Sequence, residues 1–445
     1  MKLWEKGVVP DPSVIKFTSG SDPENDVKLA GWDIVSSMAH AIMLYDSGLI
    51  SSAEKADLLV ALNSLLEKEK EGGIVIEEGV EDIHSQIEKI LTQQVGQAGK
   101  KIHTGRSRND QVMTDIRLYT RELIDDLAVR IAVLFRKLQE LSEKYREVFI
   151  PGYTHMQPAM VSTFGLWFGS YSECLADDIL LLSAARELNN RNPLGTAAGY
   201  GSTLPLLRGK TTELLEFGDL LYNSAYASLN RGKAEFATAS ALSTIAQTLS
   251  RFSMDICLFM SAEFRFVDFP DEFVTGSSIM PQKRNPDVFE IIRGKAGLIQ
   301  SLPGQVSNLV SGLPSGYNRE LQLLKSLIFD AFSDTAGSVE ILLLMLDNII
   351  VIRGVADRPV YNTIFSTEEV NRLVRSGIPF REAYRIVAAE IEKGVFPKTA
   401  VSDYTHEGSI GNLCNEKIEE IFMRRMEVFS GRSKYEIAGK MMKMI

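Results

Sequence analysis

Between Arg106 and Ile150 apolar or aromatic side chains recur every three or four residues, at Met113, Ile116, Tyr119, Leu123, Leu127, Ile131, Leu134, Leu138, Leu141 and Tyr145, with no glycine or proline among them. That spacing predicts one long amphipathic helix. Lys233 to Phe269 is likewise free of glycine and proline, and Arg319 to Arg353 is interrupted only by Gly337, so two further long helices are expected. Helices of 30 residues would span roughly 45 Å, more than one compact domain covers. Val339 to Ile352 is apolar almost all round and is expected to be enclosed by other helices. Together these features favour a bundle that associates with copies of itself.

Shorter helical patterns precede the bundle at Asp33 to Tyr45, Ser52 to Lys68 and Asp82 to Gln94, with serine or aspartate at the expected N-caps. Two more follow it, at Ser366 to Arg375 and Pro379 to Glu392. A strand signal is brief, at Ile74 to Ile76. The fold class is mainly α, a long-helix bundle. Neither GxGxxG nor a P-loop occurs, and there is no repeat.

The chain has 445 residues, 45% hydrophobic and 24% charged, which is ample for a buried core. Its formal charge of -10 speaks against nucleic acid or an anionic membrane as partner. The start, Met1 to Lys6, lacks the apolar core of a signal peptide, and the richest apolar run, Ile341 to Ile352, contains Asp347 and Asn348, so a cytoplasmic protein is expected. Cys174, Cys257 and Cys414 show no CxxC spacing and are expected to be free core thiols. His40, His84, His103, His155 and His406 form no HxH, HxxH or HExxH pair, so no metal and no cofactor is expected.

Three segments carry candidate chemistry. Lys101 to Gln111 reads KIHTGRSRNDQ and lies just ahead of the longest helix. Gly105 permits a tight turn, while Arg106, Ser107, Arg108 and Asn109 offer donors beside a helix N-terminus, an arrangement suited to carboxylate or phosphate. A plain polar loop with a serine or asparagine cap is the competing reading. Pro151 to Ala159, a punctuated loop at the far end of that helix, presents His155 between Thr154 and Gln157 as a proton-transfer candidate or a structural hydrogen-bonder. In Thr275 to Pro286, Asn285 reads as an N-cap with Pro286 at the first helical position, so free N–H groups and the dipole's positive end face the loop. Lys283 adds a full charge, and clustered positive potential can stabilise the alkoxide of Ser277 or Ser278. Gly276 offers a hinge and Pro281 an elbow, as in a lid. A plain capping loop would explain Asn285 and Pro286 but neither the serine pair nor Lys283.

At these residues the chain resembles the fumarase and aspartase superfamily, whose members share a GSSxMPxKxNP loop and eliminate fumarate from substituted succinates. HTGRSRNDQ at His103 to Gln111, GYTHMQP at Gly152 to Pro158 and SSIMPQKRNPD at Ser277 to Asp287 resemble the argininosuccinate lyase family within it. The likeness runs from Phe17 to Asp33 through Glu81-Asp82-Ile83-His84, Asn192 to Gly195 and Tyr317 to Arg319 to Pro379 to Ala383. It implies an N-terminal helical domain (residues 1–105), a central long-helix bundle (106–355), a small C-terminal helical domain (356–445) and a homotetramer in which the three segments meet from three subunits. It implies elimination of fumarate from argininosuccinate to leave arginine, with no cofactor.

By the same resemblance, Ser277 would be the base, with Ser278 as the alternative, and Lys283 and Asn285 would stabilise the aci-carboxylate. His155, paired with Glu290, would belong to the proton relay to the departing guanidinium. Ser107, Arg108, Asn109 and Thr154 would hold the succinyl carboxylates, and Asp82, Arg231, Tyr317, Gln322 and Lys325 the remainder of the substrate. Arg106, Arg108, Lys283, Arg284 and Lys325 are expected to converge. Gly232, Leu323, Leu324 and Tyr384 depart from the family's pattern, which bears on recognition of the arginine half. Adenylosuccinate lyase, and a catalytically silent structural protein on the same scaffold, are the competing identities; Ser277, Lys283, Asn285, His155 and Glu290 are all present, against the second.

Overall fold

The computed structural model describes residues 11–20, 22–396, 401, 404–429 and 431–445; Met1 to Lys6 lies outside them. The chain is mainly helical, as the periodicity predicts. The N-terminal part holds α1 (Ala30–Asp46), α2 (Ser52–Lys70) and α3 (Ile83–Val95). Ser51 caps α2 through a capping box with Glu54, and Asp82 caps α3 by accepting from the Ser85 N–H. Asp33 is no cap: α1 begins at Ala30 and Asp33 is buried inside it. Ile74 to Ile76 forms no strand.

The central bundle starts with α4 (Arg108–Lys144), whose 37 residues span about 55 Å. It ends before Ile150 because the chain turns into a β-hairpin, β1 (Phe149–Thr154) and β2 (Gln157–Thr163), in place of the expected loop. The bundle continues with α5 (Phe164–Asn189), α6 (Lys233–Met260), α7 (Asp287–Val310) and α8 (Leu324–Asp347). Both α6 and α8 stop short of the ends of their expected windows, because Val267–Asp268 and Ile350–Val351 pair as antiparallel strands.

Directions follow from cross-links. The pairs Tyr119–Phe329, Arg130–Glu340 and Lys137–Asp347 hold α8 parallel to α4 at constant offset. Gln139 donates to Ser172 and Arg186 pairs with Asp125, so α5 runs back along α4. A Cβ on Gly232, ahead of α6, would lie 2.5 Å from Val310 at the end of α7, so those two helices are also antiparallel. The starts of α4, α6 and α8 and the ends of α5 and α7 therefore share one end of the bundle. The hairpin and residues 261–286 occupy the other.

After the bundle come α9 (Ser366–Arg375), α10 (Phe380–Glu392), α11 (Asn415–Met426) and α12 (Lys434–Met442). One core fills the bundle and takes in Ile418 and Phe422 of α11; Phe422 stacks on Phe135 at 3.9 Å. A second joins α1 to α3 with Leu194, Phe217 and the α12 residues Ile437 and Met441. The C-terminal segments thus brace both cores. Leu344 and Ile350 remain 46% and 44% exposed, so Val339 to Ile352 is not enclosed within one chain. Nor are the cysteines core thiols: Cys174 is exposed and Cys257 and Cys414 are half-buried. No helix among the described residues is long and apolar enough to cross a membrane.

Candidate active site

At the start of α4, Ser107 is the N-cap, with its hydroxyl accepting from the Asn109 N–H and its own N–H donating to Asp110. Asp110 also accepts from the N–H groups of Gly195 and Ala197. Burial nevertheless raises its pKa to about 6. Arg106 does not face solvent as an anion donor: it is buried and donates to Ser37. Arg108 does face the cavity. Its Nε lies 3.0 Å from Asp82, and it donates to Ser85 at 3.0 Å and to Gln111 at 2.7 Å.

This guanidinium forms one wall of a cavity of about 200 Å³ that also takes in Asp82, Asn109, Arg231, Tyr317, Gln322 and Lys325. Seven of the nine residues expected to bind substrate are thereby brought together; Ser107 caps the helix beside them, and Thr154 is elsewhere. Arg231 is fixed by Glu235 at 2.9 Å and the Leu321 carbonyl, and Gln322 donates to the Thr18 carbonyl. The sequence reading missed Asp22 and Asp26, which line the cavity and hold Lys325 at 2.7 and 2.5 Å. Their spacing of four residues places both carboxylates on one face of the short helix Asp22–Val27, a signal that was available. Glu81 and Arg319 line it too. Burial raises the Asp22 pKa despite Lys325. Within one chain, of the five cations expected to converge only Arg108 and Lys325 meet here; with Arg231 and Arg319 they face the four carboxylates of Asp22, Asp26, Glu81 and Asp82.

The remaining candidates lie at the opposite end. His155 and Met156 form the two-residue tip of the hairpin, both with left-handed backbone (φ 52° and 60°), and His155 and Thr154 are exposed. Tyr153 anchors the hairpin through Tyr361 at 3.2 Å. The loop 275–286 is closed at its base, where the Asn285 N–H donates to the Thr275 carbonyl and its amide to Thr275 Oγ1 and the Gly276 carbonyl. Asn285 is accordingly not the cap of α7; Pro286 holds that position and makes no side-chain cap bond. Arg284 pins the loop to Asp268 and Asp271. At its tip Ser277 Oγ accepts from the N–H groups of Ile279 (3.4 Å) and Met280 (3.3 Å), while Ser278, Lys283 and Glu290 are exposed. His155 and Glu290 form no ion pair among the described residues.

Within one chain, then, the cavity and the serine loop are separated by the length of the bundle. Beneath the Arg108 segment the fold gathers Asp33, His84 and Asp115, all buried, with His84 Nδ1 3.0 Å from Asp33 and 3.4 Å from Asp115. These are donor types that can bind a divalent cation, which the histidine spacing did not suggest. The buried Arg106 beside them already supplies positive charge.

Residues 9–301 match the family model described as Lyase. The argininosuccinate lyase of Bacteroides fragilis is 49% identical over 429 residues, 96% of each chain, and that of Sorangium cellulosum is 39% identical over 88% of this chain and 91% of its own. The chain belongs to the argininosuccinate lyase family. Among solved structures, EDDS lyase in complex with formate superposes with a TM-score of 0.72 at 20% identity, covering 98% of this chain and 95% of that one. A fumarate lyase:delta crystallin from Brucella melitensis gives 0.70 at 16% identity over 91% of each. These share the fold.

Two of the departures from the argininosuccinate lyase pattern, Gly232 and Leu324, have local reasons. Gly232 has φ 87° and no room for a Cβ beside Val310, so an aspartate there would be strained and crowded. Leu324 is buried in the bundle core, whereas Leu323 and Tyr384 are exposed.

Proposed function

We propose that this chain catalyses the reversible β-elimination of argininosuccinate to L-arginine and fumarate, as its family relatives are named for, in the cytoplasm and as a homotetramer. The observation that carries the chemistry is Ser277 Oγ accepting two backbone N–H groups in the loop that also carries the exposed Lys283, just ahead of α7. The N–H dipoles, and the Lys283 ammonium once the loop closes on substrate, lower the energy of the alkoxide. Ser277 can thus release its own proton to solvent and, as the alkoxide, take the proton from the carbon next to a carboxylate and return to the hydroxyl. The carbon acid is weak, and most of the barrier falls through stabilising the dianion that follows, the role assigned to Lys283 with Asn285. Asn285 must release its loop bonds to take part. Collapse of the aci-carboxylate breaks the C–N bond, and His155, supported by Glu290, delivers a proton to the departing guanidinium.

Arg108, Asn109 and Ser107, with Thr154 from another copy, hold the succinyl carboxylates. Asp82, Arg231, Tyr317, Gln322 and Lys325 contact the rest of the substrate, and the carboxylates of Asp22, Asp26 and Asp82 suit the cationic arginine half. Argininosuccinate is favoured over adenylosuccinate by the relatives, which are argininosuccinate lyases matched over 96% of the chain. The test is fumarate release followed by ultraviolet absorbance with each substrate. Turnover of argininosuccinate, and its fall by about 10²–10⁴-fold in Ser277→Ala with assembly intact, is expected. Release from adenylosuccinate alone would refute the assignment.

A further inference from the structure

Beneath the cavity wall, Gln111 lies one turn after Arg108 on α4 and is buried, touching the guanidinium without lining the cavity. Its Oε1 accepts from Arg108 at 2.7 Å and its Nε2 donates to Asp33 Oδ1 at 2.6 Å. The amide's direction follows from chemistry. An ionised carboxylate only accepts and a guanidinium only donates, so the nitrogen must face Asp33 and the oxygen must face Arg108. Asp33 is itself fully buried on α1 and held by His84 Nδ1 at 3.0 Å. Burial works against its ionisation, yet His84, Arg106 and Gln111 outweigh that and keep the carboxyl well below the usual range.

Three of the guanidinium's five N–H groups are thus committed to Asp82, Ser85 and Gln111, which leaves one free on each terminal nitrogen. Two such donors are what a carboxylate needs for paired hydrogen bonds.

We propose that Gln111, oriented by Asp33, is a positioning residue that aims the free N–H pair of Arg108 at a substrate carboxylate. The inference rests on the reading of Arg108 as a carboxylate binder. A leucine at 111 keeps the volume but releases the guanidinium to swing toward Asp82, and leaves Asp33 short of a donor. Arg108 then grips the carboxylate equally poorly in ground and transition states, so binding weakens more than turnover.

The experiment is a double-mutant cycle of Gln111→Leu and Arg108→Lys, with argininosuccinate kinetics on the assembled enzyme. Gln111→Leu is expected to raise KM roughly ten- to hundred-fold, the effect of one lost hydrogen bond to a charged group, with kcat changed by less than about threefold. In the Arg108→Lys background the same substitution should change KM no further. Where Gln111→Leu folds poorly, Gln111→Asn, one methylene shorter and unable to span both partners, carries the same expectation. An unchanged KM, or an equal loss in the Arg108→Lys background, overturns the proposal. Should Arg108→Lys alone leave KM unchanged, it is the carboxylate-binding reading of Arg108 that fails.

Discussion

If the two halves of the site cannot meet within one chain, two inactive variants should restore each other. Arg108 sits at the start of α4 and His155 just beyond its end, about 55 Å away along a 37-residue helix. Ser277 shares the hairpin end, because the strand Val267–Asp268 that leads into its loop pairs with Ile350–Val351 past the end of α8. No loop motion spans that distance, whereas antiparallel packing of a second copy would bring a serine loop beside the first copy's cavity. Arg108→Ala and Ser277→Ala should each be inactive alone. In oligomers formed from an equal mixture, a site drawing Arg108 from one chain and Ser277 from another is intact with probability one half times one half. Recovered activity should therefore approach roughly one quarter of wild type.

The assay co-expresses the two variants with different affinity tags, isolates doubly tagged oligomers and follows fumarate. Recovered activity should scale with the product of the two subunit fractions, peaking at equal mixing. Doubly tagged oligomers of confirmed mixed composition with no activity would refute the reasoning, since every site would then be built from one chain.

Three further outcomes follow from the packing. Lys325→Met leaves Asp22 and Asp26 without their cation, a loss of about 3 kcal/mol for a broken buried pair; Asp26→Asn in the same chain should recover part of it, read by urea unfolding. Gly165→Ala places a Cβ 2.5 Å from the Arg146 Cα and 2.7 Å from the Ser142 carbonyl, so α5 must lift from the end of α4, at a cost of about 1–3 kcal/mol and a lower melting midpoint. His103 has its pKa lowered from 6.5 to about 4 by burial, Arg106 and Arg108. The unfolded chain therefore takes up this proton below pH 6.5 while the folded chain refuses it until about pH 4, so stability falls with pH across that window. After allowance for partial exposure the loss is about 2 kcal/mol, and His103→Gln should flatten it, as measured by melting between pH 7 and 4.

The long helices were legible because a period of 3.6 survives in any one chain, but their ends were not. A stretch without glycine or proline continues through Arg265 (φ 48°) into a strand, and nothing in its composition separates the two. The hairpin carrying His155 was hidden for a related reason. Its turn uses His155 and Met156 in left-handed conformations without the glycine or asparagine that usually marks such a turn, and its prolines suggested a loop. At the cavity, motif positions pointed to Arg108, Gln322 and Lys325. The charge balance was missed because the partners of Lys325 are 299 and more residues away. Asp33 looked like a cap since a polar residue ahead of an apolar run has that meaning locally; only the tertiary fold turns it toward His84 and Gln111.

His155, Lys283 and Glu290 are exposed and Ser277 is only half-buried, and that is itself informative. An alkoxide on Ser277 gains little from two N–H dipoles while water competes for it, so the chemistry needs a surface that excludes water. The bundle carries the marks of such a surface. Ile291 and Leu298 on α7 are 62% and 70% exposed, and Gly294 lies between them on the same face with nothing near its missing Cβ. A glycine inside an exposed helix weakens it by about 1 kcal/mol relative to alanine, a loss that only close approach by another backbone offsets. The stripe begins one residue after Glu290, on the helix that follows the serine loop. Docking a second copy there would bury the apolar stripe and bring the serine loop into a drier environment in the same step, so that assembly and activity depend on one contact.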